Sequence, residues 1–339
     1  MRIQIVPTIA DVGELAWNEL VPDGGFYSSF RWIRGYESVF RMRSAYICLR
    51  DSSRYLAIAP VSFTKQELSQ EYSQQRFEQI FEATFSCAVL GPRRGYRNLW
   101  LIHEGLTDED RTSAITMIVE SALEVADGWG ANAVVAPYLT ESALGGLSEV
   151  QRLSQSAEVA SEGILELPGT SFEDYLAPMR AKNRGKIRRE RAQPLRLGLR
   201  FQVEPVETGV ASALAALVAQ VEAKYGRHIT TQGLRRYLEA TFEANPADAR
   251  LFTCRNSDGR LVSGALAYEW GDGLYVRATA TDYDALPVNS FAHFNVTYFE
   301  PIAYSAQRGL KRIYFGIDAL ETKIRRGCQV ESLHHALLR

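Results

Sequence analysis

This 339-residue chain lacks most of the features that would assign it to a class at once. It has four cysteines, Cys48, Cys87, Cys254 and Cys328, and no C-x-x-C pair. Such spacing argues against a zinc ribbon or a disulfide framework and leaves reduced thiols as the expectation, with no metal site. No apolar run approaches the ~20 residues needed to span a bilayer. The first residues, Met1 to Val6, read as a strand, because a signal peptide needs a longer apolar run and a small-residue cleavage site. A soluble, cytoplasmic protein without membrane insertion is expected. Charge of either sign is also nearly absent in the balance: the formal net charge is −2. Nothing global attracts nucleic acid, so an anionic partner must be held by a local basic patch. No long heptad stretch exists from which to build a coiled coil. What is present is 46% hydrophobic residues over a length comfortable for two cores.

Patterning predicts a strand at Ile3–Val6, helices at Asp11–Leu20 and Tyr27–Val39, and strands at Tyr46–Leu49 and Tyr55–Phe63. Gln66–Glu82 is polar and reads as a loop or surface helix. Glu109–Trp129 carries Ile115, Ile118, Val119, Ala122, Leu123 and Ala126 at helical spacing. A strand at Ala133–Ala136 is expected to stop at Pro137, followed by a weak helix at Glu141–Glu149 and a strand at Gly163–Leu167. Pro168-Gly169 is the clearest punctuation, so domains are expected at 1–168 and 169–339. The second half opens with a helix capped by Ser171, with Asp174 three residues on. Its apolar side runs through Phe172, Tyr175, Leu176, Met179 and Ile187. A strand (Leu199–Val203), two helices (Ser212–Lys224, Thr231–Phe242) and three hairpin-linked strands follow (Arg250–Cys254, Leu261–Trp270, Leu274–Thr281). A helix at Ser290–Gly309 and a strand at Arg312–Phe315 complete the set. Both halves give much the same order, strand, two helices, antiparallel strands, helix, strand. It is the order of the GNAT (N-acetyltransferase-like) α/β fold, used twice.

Four constellations carry candidate chemistry. The first is a basic helix with Arg180, Lys182, Arg184, Lys186, Arg188, Arg189 and Arg191, broken only by Glu190. Like charges this close destabilise a helix unless something offsets them. A tRNA backbone or a CoA diphosphate would do so, and so would acidic surface elsewhere. The second is the terminal loop, where Lys323, Arg326 and Gly327 follow Asp318 and Glu321. A cation beside a glycine can hold a phosphate or a developing oxyanion, and surface ion pairs are the alternative. The third is histidine: His293 early in its helix, His228 at a helix end, and His334-His335 on a final strand, where neighbours point to opposite faces and make no metal motif. The fourth is Tyr275, Arg277 and Thr279, which share a strand face by period 2. With Asn289 they are candidate acceptor-binding groups, Arg277 meeting a substrate carboxylate or else Glu269 or Asp318.

Residues 171–327 resemble the catalytic half of the Fem-like acyltransferases and their peptidoglycan biosynthesis/recognition relatives. The resemblance rests on Phe172-Glu173-Asp174-Tyr175-Leu176, Lys182-x-Arg184-x-x-x-Arg188-Arg189 and Gly264-Ala265-Leu266. It continues through His293-Phe294, Tyr298-Phe299-Glu300, Gly309-Leu310 and Gly316 with Lys323-x-x-Arg326-Gly327. The Fem coiled-coil arm is missing, and Ile317-Asp318-Ala319-Leu320 stands where relatives carry more glycine. The resemblance implies two tandem GNAT-like domains and aminoacyl transfer from aminoacyl-tRNA to an amine or hydroxyl of a small molecule or peptide precursor, with no cofactor. It implies that Lys182, Arg184, Arg188 and Arg189 grip the donor phosphates. Lys323 and Arg326 would steady the terminal phosphates or the oxyanion, and Asp318, Glu321 or His293 would orient the acceptor or take its proton. Acyl-CoA is the alternative donor. CoA-dependent GNAT enzymes cradle the pyrophosphate on a glycine-rich loop, whereas Asp282–Ser290 holds no glycine and two aspartates. A non-catalytic module that binds a glycan or nucleic acid is the remaining alternative.

Overall fold

A computed structural model of the chain describes residues 1–39, 42–64, 67, 69–224 and 231–339. His228 lies outside the described residues, as do Gln66 and Leu68 of the Gln66–Glu82 segment. The chain divides into two compact units, Met1–Glu162 with Glu331–Arg339, and Gly163–Val330. The division thus falls six residues before the expected one at 168, inside a strand, and the last nine residues belong with the first unit. The reason is pairing. The terminal strand Gln329–Leu338 runs antiparallel to a unit 1 strand, from Leu333 opposite Thr140 to Leu338 opposite Val134.

Unit 1 contains β1 (Arg2–Val6), α1 (Glu14–Asn18), α2 (Phe30–Val39), β2 (Arg43–Arg50), β3 (Tyr55–Phe63) and α3 (Gln74–Phe81). It continues with β4 (Cys87–Leu90), β5 (Leu101–Ile102), α4 (Asp108–Gly128), β6 (Ala133–Thr140) and α5 (Glu141–Gly145). The strand order is β1-β2-β3-β4-β6 and then the terminal strand, with β5 against β3. All pairs are antiparallel except β4–β6. A parallel pair needs a crossover, and α4 supplies it. Its expected face, Ile115, Ile118, Val119, Ala122 and Ala126, is buried in the unit 1 core. The polar segment forms a surface helix, α3, one of the two expected forms, with Phe77 and Phe81 buried and Gln74, Gln75, Arg76 and Gln79 exposed. One expectation is corrected here. Pro137 does not end β6. The register with the terminal strand shifts between His334 and Ala336, opposite Pro137 and Tyr138, so no ladder bond is required of the residue that lacks an N–H.

Unit 2 begins within β7 (Leu153–Glu166) and continues with α6 (Phe172–Leu176), α7 (Ala181–Arg196), β8 (Arg200–Glu204), α8 (Thr208–Lys224), α9 (Thr231–Ala244), β9 (Ala249–Arg255), β10 (Leu261–Trp270) and β11 (Gly273–Thr281). Then come α10 (Ala292–Phe294), a π-helical segment (Asn295–Phe299), α11 (Glu300–Gln307), β12 (Arg312–Tyr314) and α12 (Leu320–Ile324). The order is β7-β12-β11-β10-β9-β8, again with one parallel pair, β11–β12, amid antiparallel ones. The same architecture is used twice. The Ser171 helix is capped as expected, Ser171 and Asp174 forming a reciprocal capping box. It does not run through Ile187, however. Pro178 lies in the break between α6 and α7, and an interior proline removes a helical hydrogen bond. The terminal loop contains one helical turn, α12, entered through Ala319 at φ 54°.

Gly91 closes β4 at φ +108°, and a Cβ there would come within 2.2 Å of the Asn98 amide. Gly91→Ala therefore combines backbone strain with a clash. Its thermal unfolding midpoint is expected several degrees below that of the parent chain by circular dichroism, and an unchanged midpoint would refute this packing.

Candidate functional site

The parallel pair β11–β12 is short. Gly273, Leu274 and Tyr275 pair with Arg312, Ile313 and Tyr314, and the pairing stops there although β11 runs on to Thr281. The Tyr275 and Tyr314 rings stack at that point, 4.3 Å apart and 5° from parallel. Just beyond it, β11 carries a bulge: Leu266 pairs with Ala278 and Ala267 with Val276, leaving Arg277 as the extra residue. Bulges re-aim side chains and interrupt pairing. The bulge also breaks the period-2 alternation that would set Tyr275, Arg277 and Thr279 on one face. Tyr275 is buried in the ring stack, while Arg277, Ala278 and Thr279 are half-exposed in an otherwise buried strand. Arg277 lies over the Tyr237 ring at 5.6 Å. The opening thus has an apolar apex and a polar wall.

Lys323 lies on the loop that follows β12, in α12. Its side chain is buried, and Nζ donates to the Gly316 carbonyl at 2.6 Å, two residues past the last paired residue of β12. The stem runs across Gly163, where any Cβ would lie 2.6 Å from Lys323 Cδ. Glycine in a strand here permits a close approach. One turn on, Arg326 is held in a cage. Its guanidinium lies 4.1 Å from the Phe294 ring centre and 4.8 Å from that of Tyr298. Nη1 donates to Thr322 O, and Nη2 stands 3.6 Å from Glu190 Oε2. The Arg326 carbonyl accepts from the Tyr175 hydroxyl. Arg326 therefore braces the loop that carries Lys323.

His293 lies beside this cage. Its Nδ1 is 3.2 Å from Thr281 Oγ1 and 3.5 Å from Thr297 Oγ1. Burial, reinforced by Arg326, lowers its pKa to about 4, so the ring is neutral near physiological pH. Asp318 and Glu321 are not drawn into the opening: both are exposed, and Glu321 pairs with Arg325. Asn289 is exposed too, in the left-handed region at φ 60°.

The charges of the basic helix α7 are partly compensated by acidic side chains of its own and of neighbouring helices. Arg188 pairs with Glu173, Lys186 with Glu190, and Arg191 with Glu300, while Arg184 donates to the Met179 carbonyl. Lys182 and Arg189 are exposed and form no ion pair among the described residues. Three structural details of the site escaped sequence reading: Gly163, the Arg326 partnership of Glu190, and the π-helical turn. Lys186-x-x-x-Glu190 is a signal that was present, since its spacing places the pair on one helix face. No cluster that could hold a metal exists among the described residues. No helix there is long and apolar enough to cross a membrane.

The sequence matches the FemAB-like family, described as peptidoglycan biosynthesis/recognition, over residues 12–337. The chain belongs to that family. The fold resembles the crystal structure of FemX, with TM-score 0.68, 14% identity and 99% of this chain and 97% of that one covered. It also resembles L-PGS from Bacillus licheniformis, with TM-score 0.56, 12% identity and coverage of 90% and 86%. A third likeness is to a tandem GNAT protein from the clavulanic acid biosynthesis pathway, with TM-score 0.56, 10% identity and coverage of 99% and 98%. The sequence matches no curated protein. These likenesses agree with two GNAT-like units.

The histidines give a test of the electrostatics. An ordinary histidine titrates near 6.5, whereas burial holds His293 at about 4 and His335 at about 3. Both folded values are depressed, so the stabilisation is complete above the unfolded value and is lost as pH falls through the folded ones. Stability should decline steadily from about pH 6.5 downward. The His293 ring, followed by NMR, should stay neutral until about pH 4. A midpoint at the ordinary value would show that the ring is solvated.

Proposed function

We propose that this FemAB-like chain is an acyltransferase that moves an aminoacyl group from aminoacyl-tRNA to an amine or hydroxyl of a small-molecule or peptide acceptor. The observation that carries the reading is the parted edge of β11 beyond Tyr275; Lys323, buried on the loop that follows β12, is the cation assigned to the oxyanion. An acyl ester entering that opening would lie along unpaired strand backbone. The acceptor nitrogen attacks the ester carbonyl carbon, and the oxyanion that forms is met by Lys323. The carbon–oxygen bond to the ribose then breaks, and the proton lost by nitrogen ends on the ribose oxygen. No serine or cysteine nucleophile is needed, and all four thiols are buried, with pKa values pushed up to about 12. Positioning and one fixed charge supply most of the acceleration. His293, neutral and tied to two threonines, orients rather than ionises. The exposed cations of α7, Lys182 and Arg189 foremost with Arg188 and Arg184 beside them, hold the donor's phosphates.

Acyl-CoA as donor has less support. The segment after β11 has no glycine nest: Asp282 is tied to Arg260, and the residue preceding α10 is Phe291 at φ 55°. Membership of a peptidoglycan biosynthesis/recognition family favours a peptide or cell-wall precursor as acceptor. The acceptor is expected to meet Arg277 on the bulged strand.

Lys323→Ala should lower single-turnover rate at saturating donor by about a hundredfold, the usual scale for one oxyanion donor, with donor affinity nearly unchanged. Normal turnover in that variant would sink the oxyanion role. Charge reversal of Lys182 and Arg189 should instead weaken binding of charged tRNA. It should flatten the salt dependence by about 0.7–0.9 in log–log slope for each phosphate no longer neutralised. An unchanged slope would make α7 a solvated face.

A further inference from the structure

The sheet of unit 2 ends on a strand with an unpaired side. Among the described residues β8 pairs with β9 alone, at the end of the strand order. The Gln202 carbonyl accepts from Thr253 Oγ1 on β9, so the backbone groups of Gln202 face inward. Those of Arg200 and Glu204 face the same way, and those of Phe201 and Val203 face outward, by the alternation of an antiparallel ladder. Such an edge is a template for another strand unless its side chains forbid one.

The side chains say which strand fits. β8 reads Arg200-Phe201-Gln202-Val203-Glu204. Turned end for end, it complements itself. With Gln202 opposite Gln202 of a second copy, each Arg200 meets a Glu204 and each Phe201 meets a Val203. The same register lets the outward groups of Phe201 and Val203 exchange hydrogen bonds. One step of the ladder either way sets Arg200 or Glu204 opposite Gln202, and the charges lose their partners.

The free chain leaves these groups unmatched. Arg200 is exposed, forms no ion pair among the described residues, and stands opposite a like charge, Arg255. Glu204 takes three hydrogen bonds, from Thr253 and Arg255, of the roughly four that a carboxylate accepts. Phe201 packs against the unit 2 core, whereas Val203 is 40% exposed. Leu195 and Leu197, on the chain entering β8, are 61% and 39% exposed.

We propose that two copies of this chain associate through β8, the strands running antiparallel about a two-fold axis at Gln202. The contact is isologous, each copy offering the same strand. The five residues of β8 make a small interface, so association is weak and reversible. No acyl donor or acceptor enters the proposal, and it does not rest on the acyl-transfer reading.

Sedimentation of the full chain should show a concentration-dependent monomer–dimer equilibrium. Arg200→Glu sets like charges against Glu204 of the copy, and Glu204→Arg sets them against Arg200. Each variant alone should self-associate roughly tenfold more weakly than the parent. Mixed together, the two are complementary again and should associate with each other. Val203→Pro removes an outward N–H that β9 does not use, so it should keep the fold and lose the pairing. Hydrogen exchange on the parent chain needs no variant: the Phe201 and Val203 amides should slow as concentration rises. Should a variant fail to fold, that measurement decides. The proposal is overturned if the parent stays monomeric to about 1 mM, the weak end of specific association. It is overturned equally if those two amides exchange at a rate independent of concentration. Folded charge variants that associate alone as the parent does, or that ignore each other when mixed, would also sink it.

Discussion

The geometry of unit 2 depends on a vacancy left by a proline. Pro194 sits inside α7 and has no N–H, so the Glu190 carbonyl four residues earlier lacks its helical donor. Asn295 fills the place. Its amide nitrogen donates to Glu190 O at 3.1 Å and to Phe291 O at 2.9 Å from the first position of the π-helical turn. The Glu190 carboxylate then faces Arg326, whose guanidinium is stacked among Phe294, Tyr298 and Phe299. One residue thus ties three elements together: its carbonyl holds the helix that follows β11, and its carboxylate holds the turn that carries Lys323. A buried ion pair is poor evidence of stability on its own. Here its value is positional, because the Lys323 head is set by a turn that Arg326 fixes.

That constraint explains why the lysine and the arginine of the terminal loop differ in kind. Sequence spacing gave them equal standing. In the structure, Arg326 spends its planar face on rings and its edge on Glu190 and Thr322, the use to which a guanidinium is suited. Lys323, a point charge on a flexible stem, crosses Gly163 and ends at the carbonyl of Gly316.

The architecture was largely legible in the sequence because it rests on periodicity. The α4 face, the β9–β10–β11 hairpins and the Ser171–Asp174 cap follow from local rules, and each is where those rules place it. The misreadings share a cause, which is partnership across long sequence separations. Pro137 looks like a strand end until β6 is seen to bulge there, Pro137 and Tyr138 standing opposite the single residue His335 of the terminal strand. Glu190 looks like a gap in a basic run until Arg326 arrives from 136 residues away. Arg277 looks like one step of an alternation until Leu266 and Ala267 show the slipped register. The α7 charges were legible as a patch, but which of them stay exposed without an ion pair was not, because Glu173 and Glu300 compensate from other helices.

The two units show why one fold used twice need not do one job twice. Each pairs two parallel strands over three residues, after which the strands part. In unit 1 the chain that leaves β4 turns back into the opening. Asn98 bridges to Leu139, its N–H donating to the Tyr138 carbonyl and its side chain to Leu90 O. Gly91 has no room for a side chain because Asn98 stands over it. The edge that an extended acyl donor would need is therefore already hydrogen-bonded to the protein's own backbone, and buried backbone groups do not exchange such partners cheaply. In unit 2 the chain that leaves β11 makes no such return. It passes through the Asp282–Phe291 segment into α10, and among the described residues no strand pairs with β11 beyond Tyr275 on that edge. Given the same topology, the presence or absence of one self-pairing segment decides which unit can accept an extended ligand, and that favours unit 2 as the seat of the chemistry.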